Sequence, residues 1–94
     1  MAYRFEWDPA KGASNLSKHG ISFEEAITAF GDPLSLLWPD PSHSLGEERY
    51  FVMGVSDNQR LLVIAFADRE LRTRIISARL ATRSERRRYE EAED

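Results

Sequence analysis

Ninety-four residues at 41% hydrophobic content support one core and no second, so the chain reads as a single domain over residues 1–94. No cysteine is present, no apolar run approaches the roughly eighteen residues of a membrane span, and patterned sequence begins at once without the apolar core of a signal peptide. Thirteen Lys and Arg against sixteen Asp and Glu give a net charge of −3, which excludes a generally cationic protein. The expectation is a cytoplasmic protein that uses no metal or other cofactor and has no membrane partner.

In chain order, Tyr3, Phe5 and Trp7 alternate with Arg4 and Glu6, the period of a half-buried strand. Asp8-Pro9 then signals a helix start, with a capping oxygen followed by a proline where no N–H is needed. That helix is predicted to run to about His19 and stop at Gly20, with Leu16 and Ile21 placed for the contact of a left-handed cap. Ser22-Phe23-Glu24-Glu25 reads as a capping box opening a second helix, whose core stripe is Phe23, Ala26, Ile27 and Phe30.

Gly31 and Asp32-Pro33 end the second helix, and Leu34 to Trp38 is predicted as a short strand. Residues 39 to 48 form the one long loop, which contains His43. Three strands follow, at about Arg49–Val55, Leu61–Ala67 and Arg72–Arg79, joined by turns at Asp57-Asn58-Gln59 and from Asp68 to Leu71. Leu61–Ala67 is apolar on both faces and is predicted to be central. Strict alternation in the last strand places Arg72, Arg74, Ile76 and Ala78 on one face and Thr73, Ile75, Ser77 and Arg79 on the other. Thr82 and Glu85 form another capping box, so a final helix runs from about residue 83 into an acidic tail. The predicted fold class is α+β: a mostly antiparallel sheet of about five strands, two N-terminal helices after the first strand, a C-terminal helix, and helices chiefly on one face.

Charge is unevenly placed. Residues 69 to 88 carry eight of the thirteen bases, all of them Arg, whose planar fork suits bidentate phosphate or carboxylate recognition. Residues 90 to 94 carry four acids, so residues 1 to 89 hold thirteen bases against twelve acids. A local basic patch is implied, beside an acidic tail that is a solvated helix end or shades the patch.

Three stretches together resemble the BrnT family: Phe5-Glu6-Trp7-Asp8-Pro9-x-Lys11, then Asn15-x-x-Lys18-His19-Gly20-Ile21-Ser22-Phe23-Glu24-Glu25-Ala26, and Phe30-x-Asp32-Pro33. Gly46-Glu47-Glu48-Arg49, Gly54-x-Ser56 and Arg74-Ile75-Ile76-Ser77-Ala78-Arg79-x-Ala81-Thr82-x-x-Glu85-Arg86-x-x-Tyr89 extend the resemblance over nearly the whole chain. The resemblance implies a toxin of a type II toxin–antitoxin pair with a RelE-like fold, a ribonuclease that arrests translation. It also implies a BrnA-type antitoxin with a ribbon-helix-helix domain, a heterotetramer with that antitoxin, and operator DNA bound only through it.

Cleaving RNA without a metal requires a base for the 2′-OH, an acid for the leaving 5′ oxygen, and cations on the phosphate. Arg79 is the candidate phosphate clamp, the competing reading being an ion pair with Glu6 or an acid of the first helix. Arg83, in the first turn of the last helix, lies where anions are favoured. His19 suits proton transfer, or else simply caps its helix with Lys18. Lys11, Lys18, Arg49, Arg74 and Tyr89 are the candidate RNA contacts; Asn15 shares a helix face with the two lysines. For Arg49 an ion pair with Glu48 is the favoured reading, and for Tyr89 packing of the last helix onto the sheet is the alternative. The competing function is a non-catalytic RNA-binding or antitoxin-binding module, such as a decayed toxin acting as corepressor.

Overall fold

The computed structural model describes residues 4 to 41 and 47 to 92; His43 and half of the long loop lie outside the described residues. Strands β1 (Phe5–Glu6), β2 (Leu36–Pro39), β3 (Glu48–Val55), β4 (Leu61–Arg69) and β5 (Arg72–Leu80) form one sheet in the order β1-β5-β4-β3-β2. The three later contacts are antiparallel hairpin and meander pairings, whereas β1 runs parallel to β5. The sheet is therefore mixed. Helices α1 (Pro9–His19), α2 (Phe23–Thr28) and α3 (Arg83–Glu91) complete the fold, with a short 3-10 turn at Ala29–Gly31.

Local chemistry fixes the helix ends where the sequence places them. Asp8 accepts the Ala10 N–H at 2.9 Å and Pro9 opens α1, which ends on Gly20 in the left-handed region at φ 71°. Ser22 caps α2 by accepting the Glu25 N–H at 3.0 Å. The Glu25 carboxylate, however, does not turn back to close a box. It accepts from Arg60 Nε at 2.9 Å, from Arg60 Nη2, and from the Ser56 hydroxyl at 2.7 Å, tying α2 to the β3–β4 turn.

Arg60 also donates to the Gly20 carbonyl at 3.1 Å, so one guanidinium joins α1, α2 and the sheet. The Glu25 side chain is 8% exposed while that of Arg60 is 35% exposed. Removing Arg60 leaves the sheltered Glu25 carboxylate without its main partner. Arg60→Ala is thus expected to lower the melting temperature by roughly 10 °C, measured by thermal unfolding.

Burial on both sides of β4 requires a layer on each face. Ile21, Phe23, Ala26 and Ala29 pack on Val52, Leu62, Ile64, Phe66, Ile75 and Ala78, with Phe30 edge-on to Phe5 and Phe66. On the opposite face Tyr89 of α3 packs on Met53, Leu61 and Val63, flanked by Leu36, Trp38, Phe51 and Val55. The helices therefore occupy both faces rather than chiefly one, because an all-apolar central strand leaves a second surface to cover.

Strict alternation also fails in β5. Ala65 pairs with Ser77 but Phe66 pairs with Ile75, so a β-bulge absorbs Ile76. Thr73, Ile75 and Ala78 are all buried, and Ile75 and Ala78 share the α1/α2 core. Beyond the bulge the parity reverses: Arg79, opposite Val63, shares a face with Arg74, opposite Ala67. Ala78 stands on the opposite face from both.

Candidate nucleic-acid interface

The face that carries α3 is read across the strands in rows. Arg49, Ala67, Arg74 and Glu6 form one row; Trp38, Phe51, Ala65 and Ser77 the next; Leu36, Met53, Val63 and Arg79 the third. Adjacent strands lie about 4.8 Å apart and same-face rows about 7 Å apart. Helix α3 covers the third row and the Leu61 end of the sheet through Tyr89, and sets the Arg88 guanidinium 5.7 Å over the Trp38 ring. The remaining half has a floor of short side chains, Ala65, Ala67 and Ser77, with guanidiniums around it.

Carboxylates hold those guanidiniums in place. Glu6 pairs with Arg72 at 3.1 Å, Arg74 at 3.6 Å and Arg69 at 3.9 Å, and Glu47 with Arg69 at 3.0 Å and Arg49 at 3.2 Å. Four arginines thus face two acids, leaving the cluster cationic. The Arg72 hydrogen bond leads in holding Glu6 below the usual carboxylate range, and Arg69 does the same for Glu47. Both acids stay ionised as counter-charges. Arg49 pairs with Glu47 and not with Glu48, because neighbours in a strand face opposite ways; Glu48 instead accepts the Tyr50 hydroxyl at 2.7 Å.

Arg79 is held differently. Its Nη1 and Nη2 donate to Glu85 Oε1 and Oε2 at 2.7 and 3.0 Å, so its partner is not Glu6, and α1 carries no acid that could pair with it. Glu85 simultaneously closes the cap of α3, accepting the Thr82 N–H at 2.9 Å while Thr82 accepts the Glu85 N–H at 3.2 Å. The Arg79 hydrogen bonds outweigh burial and bring the Glu85 carboxyl down to about 2. Arg83 stands exposed in the adjoining first turn of α3.

The outer edge of β5 forms the second part of the site. Strand β1 reaches only Thr73 and Arg74, so residues from the bulge onward have no strand neighbour on that side. Asn15 of α1 takes that place: its amide nitrogen donates to the Ala78 and Ile21 carbonyls at 2.8 and 2.9 Å, and its oxygen accepts the Ala78 N–H at 3.0 Å. Asn15 is therefore 6% exposed and committed to the fold. Lys11, Ser14, Lys18 and His19 line a cleft of about 200 Å³ against Ile76 and Ser77. Ser77 belongs to both the cleft and the sheet face, so the bulge is where they meet. The basic side chains thus lie around the β5 edge, with Lys11, Lys18 and His19 on one side and Arg49, Arg74 and Arg79 on the other.

Tyr89 is 8% exposed and gives its hydroxyl to Asp32, which also accepts the Val55 N–H at 2.9 Å and the Leu34 N–H at 2.9 Å. Burial would raise the Asp32 carboxyl, but these donors prevail and hold it below its ordinary value. Tyr89 thus fixes α3 to the sheet. Among the described residues no three His, Asp or Glu side chains stand together as a metal-holding group. No described helix is long and apolar enough to cross a membrane.

Glu6, Glu47, Arg69, Arg72, Ser77 and Glu85 belong to the surface although the sequence reading gave none of them a site role. The signal available for Glu6 was its place between Phe5 and Trp7, which fixes its face but not its neighbours.

Acid should act on two of these carboxylates. The Arg60 hydrogen bonds lead, against burial, in bringing Glu25 to about 2, as Arg79 does for Glu85. Both folded values lie below the ordinary carboxylate value of 4.5, so their contribution is complete above pH 4.5 and lost as pH falls toward 2. With the arginine partners partly exposed, we expect about 1–2 kcal/mol from each. The melting temperature should hold from pH 8 to 5 and drop below it. A Glu25→Gln/Glu85→Gln double variant should start lower at pH 7 and show a shallower acid limb.

Fold and site together define a small α+β domain with a mixed five-stranded sheet and a guanidinium-lined open face. A family model described as "Ribonuclease toxin, BrnT, of type II toxin-antitoxin system" matches residues 7–85. The crystal structure of the Brucella abortus ribonuclease toxin, BrnT, superposes with a TM-score of 0.62 at 20% identity, covering 87% of this chain and all of that one. A search of curated proteins finds no match. The chain belongs to the BrnT family of type II toxin–antitoxin ribonuclease toxins, and it has the α+β fold predicted from the order of its elements.

Proposed function

We propose that the chain is a metal-independent endoribonuclease whose substrate lies on the open face of the sheet, around the β5 bulge. The observation that carries this reading is the parity reversal at Ile76, which brings Arg79 onto the face of Arg74 and Arg49. Arginines placed there meet a single RNA strand as a series of phosphate contacts, and charge building on a pentacoordinate phosphorus is met by fixed guanidiniums in place of a metal ion. Arg79 is the phosphate clamp, Arg83 adds charge at the start of α3, and His19 takes the 2′-OH proton from the cleft side, while solvent water protonates the departing 5′ oxygen. Lys11, Lys18, Arg49 and Arg74 hold the backbone on either side; Tyr89 acts through the placement of α3.

In this reading cleavage of RNA arrests translation. The partner is a BrnA-type antitoxin with a ribbon-helix-helix domain that neutralises the toxin in a heterotetramer and alone contacts operator DNA. The purified chain should cut RNA in excess EDTA, either free or once ribosomes are added. Failure on both substrates would overturn the enzymatic reading. In that case phosphate binding that weakens with salt, without strand breaks, would favour a non-catalytic module.

A further inference from the structure

We propose that Glu85 is a positioning residue, which aims the Arg79 guanidinium at the scissile phosphate while closing the α3 cap. This rests on the reading of the open face as a ribonuclease site. The two roles use one carboxylate: Oε1 accepts both the Thr82 N–H and Arg79 Nη1, and Oε2 accepts Arg79 Nη2. An arginine has five donors in a rigid plane. The end-on pair of Nη1 and Nη2 is taken by Glu85, so the Nε–Nη2 edge is left as the second bidentate edge, with no carboxylate against it among the described residues.

A flexible side chain emerging from a strand would sample many rotamers. This one is anchored at its tip to the first turn of a helix that is itself capped by the same carboxylate. The Glu85 side chain is 18% exposed and the Arg79 side chain 40% exposed, so the anchor is sheltered while the arginine keeps substantial solvent access. Phosphate recognition is thereby tied to the Glu85 side chain, which reaches the clamp from the first turn of α3.

Glutamine at 85 tests this, because its carbonyl can still accept the Thr82 N–H while its NH₂ group opposes Arg79 Nη2. Wild type, Glu85→Gln, Glu85→Asp, Thr82→Ala and Arg79→Ala are compared for thermal unfolding and for steady-state cleavage of the RNA, free or ribosome-bound, on which the wild type acts. Glu85→Gln should lose about 10–100-fold in kcat with KM within about threefold, assayed below a melting temperature that falls by only several degrees with the loss of the ion pair. Thr82→Ala, which loses one cap bond but keeps the carboxylate–guanidinium fork, should melt earlier yet keep kcat within about threefold. Glu85→Asp keeps the charge but is too short to span both partners, and should lose kcat as Gln does, which maintains the test if the Gln variant does not fold.

Wild-type kcat in both Glu85 variants, or a Thr82→Ala loss equal to that of Glu85→Gln, would reduce Glu85 to a helix cap and overturn the inference. Full activity in Arg79→Ala would overturn it while leaving a ribonuclease. An inactive wild type would overturn the ribonuclease reading itself, and the inference with it.

Discussion

Arg79→Ala is expected to lower RNA cleavage by about 10²–10³-fold, the usual loss when one preorganised donor to a developing oxyanion is removed. Its position explains the size. Arg79 sits in the third row of the face beside Val63, at the border between the part sealed by α3 and the open part. A cation at such a border interacts through less water than the exposed arginines of the rim. Folding should survive, because Glu85 keeps its cap bond to Thr82 and the lost ion pair is partly exposed, a cost of about 1 kcal/mol. Arg79→Lys should recover little, since a point charge cannot hold Glu85 and phosphate by two bidentate edges. Cleavage rates and melting temperatures measured on the same preparations separate the two effects; an Arg79→Ala protein cutting at the wild-type rate would remove Arg79 from the mechanism.

Gly54→Ala should be the most damaging of the small substitutions to the fold. A Cβ built there lies 2.5 Å from the Ala29 carbonyl oxygen and 3.3 Å from the Cβ atoms of Asp32 and Ser35. The nearest of these is backbone, at a fully buried residue of the 3-10 turn that seals β3, so it cannot swing aside as a side-chain tip would. The requirement here is close approach, not an unusual backbone angle. Overpacking of this kind costs about 3 kcal/mol, or a fall in melting temperature of roughly 15 °C. The damage should reach the far side of the sheet, because Asp32 holds both the Val55 N–H and the Tyr89 hydroxyl that anchors α3. Thermal unfolding with cleavage measured below the transition checks both; an unchanged melting temperature would show that the 3-10 turn can give way.

Much of the fold was legible because its signals are local. Asp8-Pro9, Ser22 and the Thr82–Glu85 box act within a few residues, and each caps the helix it was read to cap. The stripe of Phe23, Ala26, Ile27 and Phe30 is in or against the core for the same reason. What sequence could not show depends on pairing between distant segments. Asn15 was grouped with Lys11 and Lys18 by helical spacing, yet its amide is consumed by Ala78, 63 residues away. Glu25 was read as a box residue, and Arg60, 35 residues on, draws it elsewhere. Most consequential is the bulge. Alternation counts Arg74 and Arg79 onto opposite faces, and nothing within β5 marks Ile76 as the residue that its partner strand leaves unmatched. The arginine types were legible; their convergence was not.

The most direct test of that convergence is the salt dependence of binding to a single-stranded RNA made uncleavable by 2′-O-methyl groups, measured for wild type, Arg49→Ala, Arg74→Ala and the double variant. If the strand lies across the open face, each substitution should weaken binding and flatten the slope of log affinity against log salt by about 0.7, and the double variant by about twice that. Wild-type affinity and slope in the double variant would place the RNA elsewhere and contradict the site assigned to this face.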